Sequence, residues 1–231
     1  MSKRLLLLSS SRVHGRGYLD HAEDLIRDFF TGVSRVLFVP YALRDRDGYA
    51  AVARQKFQAL GFGLDSLHEA ADPTAAIRQA EAMFVGGGNT FRLLNILYTA
   101  KLLLPIRQRA QNGMRYMGAS AGSNLAGPTI RTTNDMPIVQ PPSFEALGLV
   151  PFQINPHYID ADPASTHMGE TREQRLREYL EENEVPVVAI RESAIIHVEG
   201  EIVTLEGDAG ATIFRRGREP EPLDPGSLIE I

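Results

Sequence analysis

The chain has 231 residues, a net charge of −5 at pH 7 and no cysteine. The length suits one large α/β domain, and the lack of cysteine excludes disulfides, a cysteine nucleophile and thiolate metal sites. The modest charge without a basic stripe gives no sign of nucleic-acid binding, and no stretch approaches the ~20 apolar residues of a membrane span. The apolar run after Lys3 and Arg4 is too short for a signal peptide. A single domain over residues 1–231, located in the cytoplasm, is therefore expected.

The first half of the chain alternates strand-like apolar runs with segments whose apolar residues follow the period of a helix. Strands are predicted over residues 4–9, 35–39, 64–67, 82–85 and 115–117, and helices over residues 18–30, 48–60, 90–97 and 105–111. This β-α-β-α alternation predicts a mostly parallel sheet with helices on both faces.

The second half has a different character. It contains a polar, Pro-rich loop over residues 130–142, a segment over residues 152–159 that carries His157, a helix over residues 171–183, a strand over residues 185–190, a hairpin over residues 194–205 and a last strand over residues 211–214. Thr171 and Gln174 form a capping-box pair at the start of the helix. No internal repeat or linker divides the chain, which favours one domain.

Residues 118–122 read Gly-Ala-Ser-Ala-Gly, the G-x-S-x-G pattern of a nucleophile elbow. In that motif the serine lies on a sharp turn between a strand and a helix, so its hydroxyl stands clear of the backbone. Glycine is needed on either side because the chain folds back tightly. A Gly/Ser turn without chemistry is the alternative, but the flanking strand and helix favour Ser120 as a nucleophile.

A serine nucleophile needs a base, and His157 is the expected one among the six histidines. It follows Asn155 and Pro156, and the proline restricts the backbone there. It also follows the serine in the chain, as bases do in hydrolytic α/β sheets. The alternative is a structural loop histidine.

Two carboxylates compete to orient the imidazole. Asp135 lies in the polar loop, and Glu192 lies just beyond the strand over residues 185–190. Ligands of parallel sheets bind beyond the carboxyl ends of the strands, which favours Glu192, but the sequence leaves both open.

Residues 86–90, Gly-Gly-Gly-Asn-Thr, join a strand to a helix N-terminus, where backbone N–H groups can bind an anion. The segment lacks the lysine and spacing of a phosphate loop, so an oxyanion hole is the better interpretation. One donor would be the N–H of Gly88 or its neighbour. The other would be that of Ala121, the residue after the nucleophile.

Arg172 lies in the first turn of the predicted helix, where a cation opposes the helix dipole. Its position indicates an anion nearby, with a salt bridge to Glu170 as the alternative. Arg131 in the polar loop is a second candidate for carboxylate recognition, since arginine binds carboxylates bidentately.

No cofactor or metal is expected. An acidic and histidine-containing cluster lies along one stretch of the chain but lacks His-x-x-x-His spacing. Its members are His157, Asp160, Asp162, His167 and Glu170.

Several segments together resemble peptidase E, the α-aspartyl dipeptidase family, over essentially the whole chain. They are residues 86–90 (GGGNT), 118–124 (GASAGSN), 129–137 (TIRTTNDMP), 153–157 (QINPH) and 169–175 (GETREQR). The chain departs from the family at Ala119, where tryptophan is common, and at Arg191, where a small residue or proline is expected.

The resemblance implies a flavodoxin-like sheet akin to the class I glutamine amidotransferases, which carry cysteine at the elbow. It implies cleavage of dipeptides with an N-terminal aspartate through an acyl-enzyme, with Ser120 as nucleophile, His157 as base and Asp135 or Glu192 as acid. Asn89, Arg131 and Arg172 are the expected substrate-binding residues.

Two other functions are kept beside this one. Within the enzyme class the alternative is a cyanophycinase-like hydrolase of β-aspartyl peptides, and from a different class it is a non-catalytic amidotransferase-like binding domain. A small dipeptide is the expected partner of a monomer or homodimer, with no nucleic acid and no membrane.

Overall fold

The computed structural model describes residues 2–164, 166 and 168–231 and contains two β-sheets. The strands are β1 (Arg4–Leu8), β2 (Arg35–Val39), β3 (Gly63–Ser66), β4 (Ala82–Val85), β5 (Arg115–Ala119), β6 (Gln153–Tyr158), β7 (Val187–Arg191), β8 (Ala194–Glu199), β9 (Ile202–Gly207), β10 (Ala211–Phe214) and β11 (Glu221–Leu223). The larger sheet has seven strands in the order β3-β2-β4-β5-β1-β8-β9. Its first five strands are parallel, while β8 and β9 are antiparallel to their neighbours. The predicted mostly parallel sheet is confirmed.

Helices cover both faces of this sheet, and a further helix lies against the smaller sheet. They are α1 (Glu23–Phe29), α2 (Arg46–Leu60), α3 (Pro73–Gln79), α4 (Thr90–Thr99), α5 (Leu103–Gln111), α6 (Ala121–Asn124) and α7 (Arg172–Glu182). On one face α1 and α2 bury Ile26 and Phe57 in one hydrophobic cluster. On the other face α3, α4 and α5 bury Ile77, Leu94 and Ile106 in a second cluster. The apolar stripe of each helix therefore supplies the core that the sequence pattern predicts.

The smaller sheet has four strands in the order β11-β10-β7-β6. Strands β6 and β7 are parallel, and β10 and β11 are antiparallel to their neighbours. Ile154 of β6 and Val188 of β7 belong to the same buried cluster as Leu5 of β1. The two sheets thus share one core, and Leu176 and Leu180 of α7 cover the remaining side of the small sheet.

The structure departs from the predicted elements in four places. The predicted helix over residues 18–30 begins only after Leu19, which has a positive φ of 61°, and is divided into a 3-10 turn (Asp20–Ala22) and α1 at Ala22, whose φ of −123° and ψ of 10° are not helical. Helix α3 was not predicted; Asp72 caps it and Pro73 begins it, a signal that its few apolar residues obscured. The short strand β11 follows the predicted last strand, and the predicted strand over residues 64–67 ends in a 3-10 turn (Leu67–Glu69). Within the described part of the chain no helix has the length and apolarity needed to span a membrane.

Candidate active site

Ser120 lies at the turn between β5 and α6, in a backbone conformation that residues with side chains seldom adopt (φ 52°, ψ −107°). Its N–H donates to the carbonyl of Leu8 at 3.0 Å, which ties the turn to the end of β1. A Cβ at Gly118 would lie 2.5 Å from the carbonyl oxygen of Gly122, and one at Gly122 would lie 2.1 Å from that of Val85. The G-x-S-x-G pattern therefore marks a strand–turn–helix whose close packing requires both glycines.

His157 lies at the end of β6 rather than in a loop. Its Nε2 is 2.9 Å from Ser120 Oγ, and its Nδ1 is 3.2 Å from Glu192 Oε1. The pairing of β6 with β7 is irregular at this point, and His157 has a positive φ of 55°. Strand irregularities of this kind re-aim side chains next to active sites, and here one turns the imidazole towards the serine.

Ser9 holds the backbone of His157 in place. Its hydroxyl accepts from the His157 N–H at 2.8 Å and donates to the carbonyl of Ile190 at 2.9 Å. Ser9 is fully buried, so both hydrogen bonds are shielded from water. It therefore joins the end of β1 to the strands that carry the histidine and its carboxylate partner.

Glu192 follows directly after β7. The preceding Arg191, where the chain departs from the family pattern, is directed to Asp160, with two guanidinium–carboxylate contacts of 2.6 Å. That hydrogen bonding holds the pKa of the Asp160 carboxyl below its usual range. Arg191 thus pairs with Asp160, while the Glu192 carboxylate contacts His157.

Asp135, the competing acid, contacts a different group. Its Oδ2 accepts from the N–H and the hydroxyl of Thr90, at 2.7 and 2.6 Å, at the start of α4. In the part of the chain that the structure describes, no hydrogen bond joins Asp135 to His157. Of the two carboxylates that the sequence left open, the structure thus brings Glu192 to the histidine and leaves Asp135 on the wall of the cleft.

Asn89, an expected substrate-binding residue, is committed to the protein. Its Oδ1 accepts from the N–H of Arg92 at 3.0 Å, and its Nδ2 donates to the carbonyl of Met136 at 2.8 Å. Asparagine is a favoured N-cap because its side chain replaces a missing helical acceptor. The Asn89 side chain thus caps α4 and holds the polar loop, and its contact with substrate stays a prediction.

The glycine segment contains one backbone donor, at a residue that lines the cleft, without a partner among the described residues. Gly87 donates to the hydroxyl of Tyr49 at 2.8 Å, and Asn89 donates to the carbonyl of Ala42 at 3.0 Å. Gly88 lies between them at φ +135°, and no hydrogen bond of the described residues uses its N–H. Ala121 is the first residue of α6, so its N–H precedes the first intrahelical bond. The two amides named as oxyanion donors are thus free of backbone partners among these residues.

Arg131 is directed away from the cleft. Its guanidinium lies 5.6 Å from the centre of the Phe144 ring, and it is absent from the described residues that line the cleft around Ser120. Stacking on an aromatic ring is a common use of arginine, and the sequence did not reveal the ring. The role of Arg131 in substrate binding stays a prediction.

Arg172 is partly buried and donates to Asn134 Oδ1 at 2.8 Å. Burial, with a smaller effect of Arg175, lowers the pKa of its guanidinium. Glu170, the alternative partner, is 3.5 Å from Arg175 instead, and no carboxylate of the described residues forms an ion pair with Arg172. Asn134 also donates to the carbonyl of Pro156 at 2.7 Å, which connects Arg172 to the strand end that carries the histidine.

A cleft of about 680 Å³ contains Ser120, His157, Asp135 and Gly88. Its wall also includes residues that the sequence did not single out for function: Ser10, Ser11, Arg12, Tyr18, Leu43, Asp45, Gly48, Tyr49 and Val52. The signal in the sequence for this part of the wall is the polar run that follows β1, since that run leaves the same edge of the sheet as the elbow.

The cluster considered as a metal site in the sequence includes His167, which lies outside the described residues. The described residues bring together one other group of possible ligands, Asp47, His68 and Glu69. Glu69 is already paired with Arg54 at 2.8 Å, and the Asp47 side chain is almost fully exposed.

A serine on a strained strand–helix turn, followed by histidine and carboxylate in a line of hydrogen bonds, is typical of serine hydrolases built on α/β sheets. Residues 5–206 match the model of peptidase family S51. The chain belongs to that family.

Curated relatives agree with this assignment, and a solved structure shares the fold. The chain is 56% identical to peptidase E of Streptomyces coelicolor over 96% of this chain and 92% of the relative. It is 52% identical to the Drosophila melanogaster protein named "Probable alpha-aspartyl dipeptidase", over 97% of this chain and 95% of that protein. The crystal structure of a peptidase from an acI-B1 actinobacterium matches all of this chain and 98% of its own length with a TM-score of 0.73 at 19% identity, which shows a shared fold.

Proposed function

We propose that this protein is a serine-type dipeptidase that cleaves dipeptides with an N-terminal aspartate. The observation that carries the proposal is the continuous line of hydrogen bonds from Ser120 through His157 to Glu192, found in a member of peptidase family S51. The aspartate specificity is supported by the name of the Drosophila relative, which aligns over nearly its full length.

In the proposed reaction, Ser120 Oγ attacks the scissile carbonyl while His157 Nε2 takes its proton. Glu192 accepts the hydrogen bond from Nδ1, which fixes the tautomer and stabilises the imidazolium. The imidazolium then protonates the leaving amine as the C–N bond breaks, and an ester of Ser120 remains. Water activated by His157 attacks that ester and releases free aspartate.

The backbone donors of Gly88 and Ala121 bind the oxyanion of the tetrahedral intermediate in this proposal. Gly88 lines the cleft, and Ala121 directly follows the nucleophile. Donors fixed by the backbone need no rearrangement as negative charge develops, and each typically contributes ~3–4 kcal/mol to the transition state.

Arg172 is proposed to bind the side-chain carboxylate of the substrate, and Asp135 its free α-amine. Arg172 carries a partly buried charge without an ion pair among the described residues, which favours an anionic ligand. Asp135 lines the cleft, and its contacts with Thr90 use only Oδ2. Asp135 follows Asn134 in the chain, and Arg172 donates to the Asn134 side chain. This common neighbour supports the proposal that the two residues bind adjacent groups of one amino acid.

The cleavage of Asp-Leu, Leu-Leu and β-Asp-Leu by the wild type tests this function. Rapid hydrolysis of Asp-Leu alone supports it; equal rates on Asp-Leu and Leu-Leu would remove the aspartate specificity. Preference for β-Asp-Leu would support the cyanophycinase-like function instead, and the absence of any hydrolysis would favour a binding domain.

The variant Ser120→Ala tests the nucleophile, with Ser143→Ala as a matched control in a loop outside the cleft. Ser120→Ala should lose at least about 10³-fold in kcat, since the remaining groups still provide residual catalysis. Full activity in Ser120→Ala would exclude the proposed mechanism.

The same proposal places the protein in the cytoplasm, as a monomer or homodimer of one domain with no nucleic-acid partner. The modest net charge supports the absence of a nucleic-acid partner. The buried cluster that joins both sheets supports a single domain.

A further inference from the structure

Arg12 presents a charged group to the cleft from the segment that follows β1. Ser10 fixes its backbone, because the Ser10 hydroxyl donates to the Arg12 carbonyl and accepts from the Arg12 N–H at 3.0 Å. The guanidinium lies 5.7 Å from the centre of the Tyr18 ring. The structure gives this cation no ion pair with any carboxylate that it describes, whereas the nearby Arg16 is 2.8 Å from Asp208.

Each acid that shares the cleft with Arg12 has one carboxylate oxygen in a hydrogen bond to the protein, and neither forms an ion pair with Arg12 among the described residues. Asp45 accepts from the N–H of Gly48 at 2.9 Å and caps α2, and Asp135 accepts from Thr90. Arg12 is the one lysine or arginine among the described residues that line the cleft. A guanidinium stacked on an aromatic face keeps its N–H edge available, and that edge matches a carboxylate bidentately.

Arg12 lines the cleft, whereas Arg172 lies outside its lining and is connected to it through Asn134, and the two are tied to opposite faces of the seven-stranded sheet. Tyr18, beneath Arg12, packs against the cluster buried under α1 and α2. Arg172 is joined through Asn134 to the polar loop, which is anchored at Thr90, the first residue of α4 on the other face. Ser120 directly follows β5, the strand beside β1 in that sheet, and lines the cleft together with Arg12.

An Asp-Xaa dipeptide carries two carboxylates. One is on the side chain of the first residue, and the other is the α-carboxylate of the second. The scissile carbonyl lies between them, and successive Cα atoms are about 3.8 Å apart. We infer that Arg12 binds the α-carboxylate of the leaving residue and thereby selects dipeptides over longer or blocked substrates. This inference rests on the proposed function and on Arg172 binding the other carboxylate.

The test compares a substrate that has the leaving carboxylate with two that lack it. Asp-Leu, Asp-Leu amide and aspartyl p-nitroanilide are assayed with the wild type and Arg12→Gln. In the variant, kcat/KM for Asp-Leu should fall about 10- to 100-fold, mainly through KM, the range expected for one charge-assisted contact. The values for the amide and the anilide should stay within about twofold, because those substrates do not use the contact.

Arg16→Gln is the matched control, since it removes the same charge four residues away from a side chain that does not line the cleft. It should leave all three substrates unchanged. Arg12→Lys should recover part of the loss on Asp-Leu, since a lysine keeps the charge but not the bidentate geometry.

Three results would overturn the inference. An equal loss on all three substrates would make Arg12 a structural residue. No loss on any of them would remove the contact, and equal cleavage of Asp-Leu and its amide by the wild type would exclude carboxylate selection. In each of these cases the aspartyl peptidase activity stands, whereas a wild type that cleaves none of the three substrates would overturn the proposed function as well.

Discussion

Glu192 and His157 are joined across 3.2 Å, between Glu192 Oε1 and His157 Nδ1; His157 lies in β6, and Glu192 directly follows β7, the parallel neighbour of β6 in the four-stranded sheet. Ser120 comes from the other sheet. The pairing of β6 with β7 therefore fixes the relation between histidine and carboxylate, while the contact between the two sheets fixes the relation between histidine and serine.

The first prediction concerns that pair. Glu192→Gln should lower kcat for Asp-Leu by about 10²-fold or more, because a neutral amide neither fixes the tautomer nor stabilises the imidazolium. Asp135→Asn is the matched control in the same cleft and should raise KM more than it lowers kcat, as expected for a residue that binds the substrate amine. Steady-state kinetics of both variants test this. A larger loss of kcat in Asp135→Asn than in Glu192→Gln would assign the acid to Asp135.

The second prediction concerns Ser9. Ser9→Ala removes the acceptor for the His157 N–H and leaves that buried donor without its partner. The free energy of unfolding should fall by about 1–3 kcal/mol, and kcat should fall about tenfold or more as the imidazole shifts. Urea unfolding and kinetics measure the two effects. Ser11→Ala, a neighbouring serine in the same segment, should lose less of both; equal losses would show that Ser9 has no special positioning role.

The third prediction concerns the elbow glycines. Gly122→Ala would place a Cβ 2.1 Å from the carbonyl oxygen of Val85, so the backbone of β4 or α6 must shift. We expect a loss of more than about 3 kcal/mol of stability, beyond the usual range of single substitutions. Gly148→Ala is the control, because its positive φ of 56° is strained but no atom lies within 4 Å; it should cost about 1–2 kcal/mol. Similar unfolding free energies for the two variants would contradict the close approach.

The fourth prediction concerns pH. Burial, followed by the charge of Arg16, lowers the pKa of His21, and neither ring nitrogen has a hydrogen bond to another described residue. The unfolded chain, with a histidine pKa of about 6.5, then binds more protons than the folded protein. Stability is therefore lost as the pH falls through about 6.5 towards the lower folded pKa.

Replacing the imidazole should weaken this dependence. His21→Phe should show a smaller loss of unfolding free energy between about pH 7.5 and about pH 5.5 than the wild type. Urea unfolding at both pH values measures the difference, and His14→Phe, at an exposed loop position, is the control. A wild-type slope that persists in His21→Phe would show that other groups carry the pH dependence.

The parts of the fold and site that the sequence predicts are those that local sequence pattern determines. Ser120 follows from its two glycines, and the parallel sheet follows from the alternation of apolar runs. The loop assigned to His157 was wrong because the strand continues through Pro156, with an irregular pairing that only the neighbouring strand discloses. The choice between Asp135 and Glu192 depends on which strand pairs with β6, and that is a property of the tertiary structure.

The substrate residues were harder to predict for a similar reason. Asn89 and Arg131 have the right functional groups, but a helix end and a phenylalanine ring already use them. The sequence did not indicate Arg12, because its proposed role depends on its contact with Tyr18 and on the position of the segment after β1 in the cleft. One domain over residues 1–231 stays a prediction, supported by the core that both sheets share.

The two residues proposed to exchange a proton, Ser120 and His157, both have positive φ angles that glycine would adopt without cost. Glycine at either position would relieve the backbone strain but would remove a side chain that the proposed reaction needs. Substitutions chosen for thermal stability alone would therefore inactivate the enzyme at these two positions. Serine and histidine at these positions therefore cost stability that the proposed activity requires.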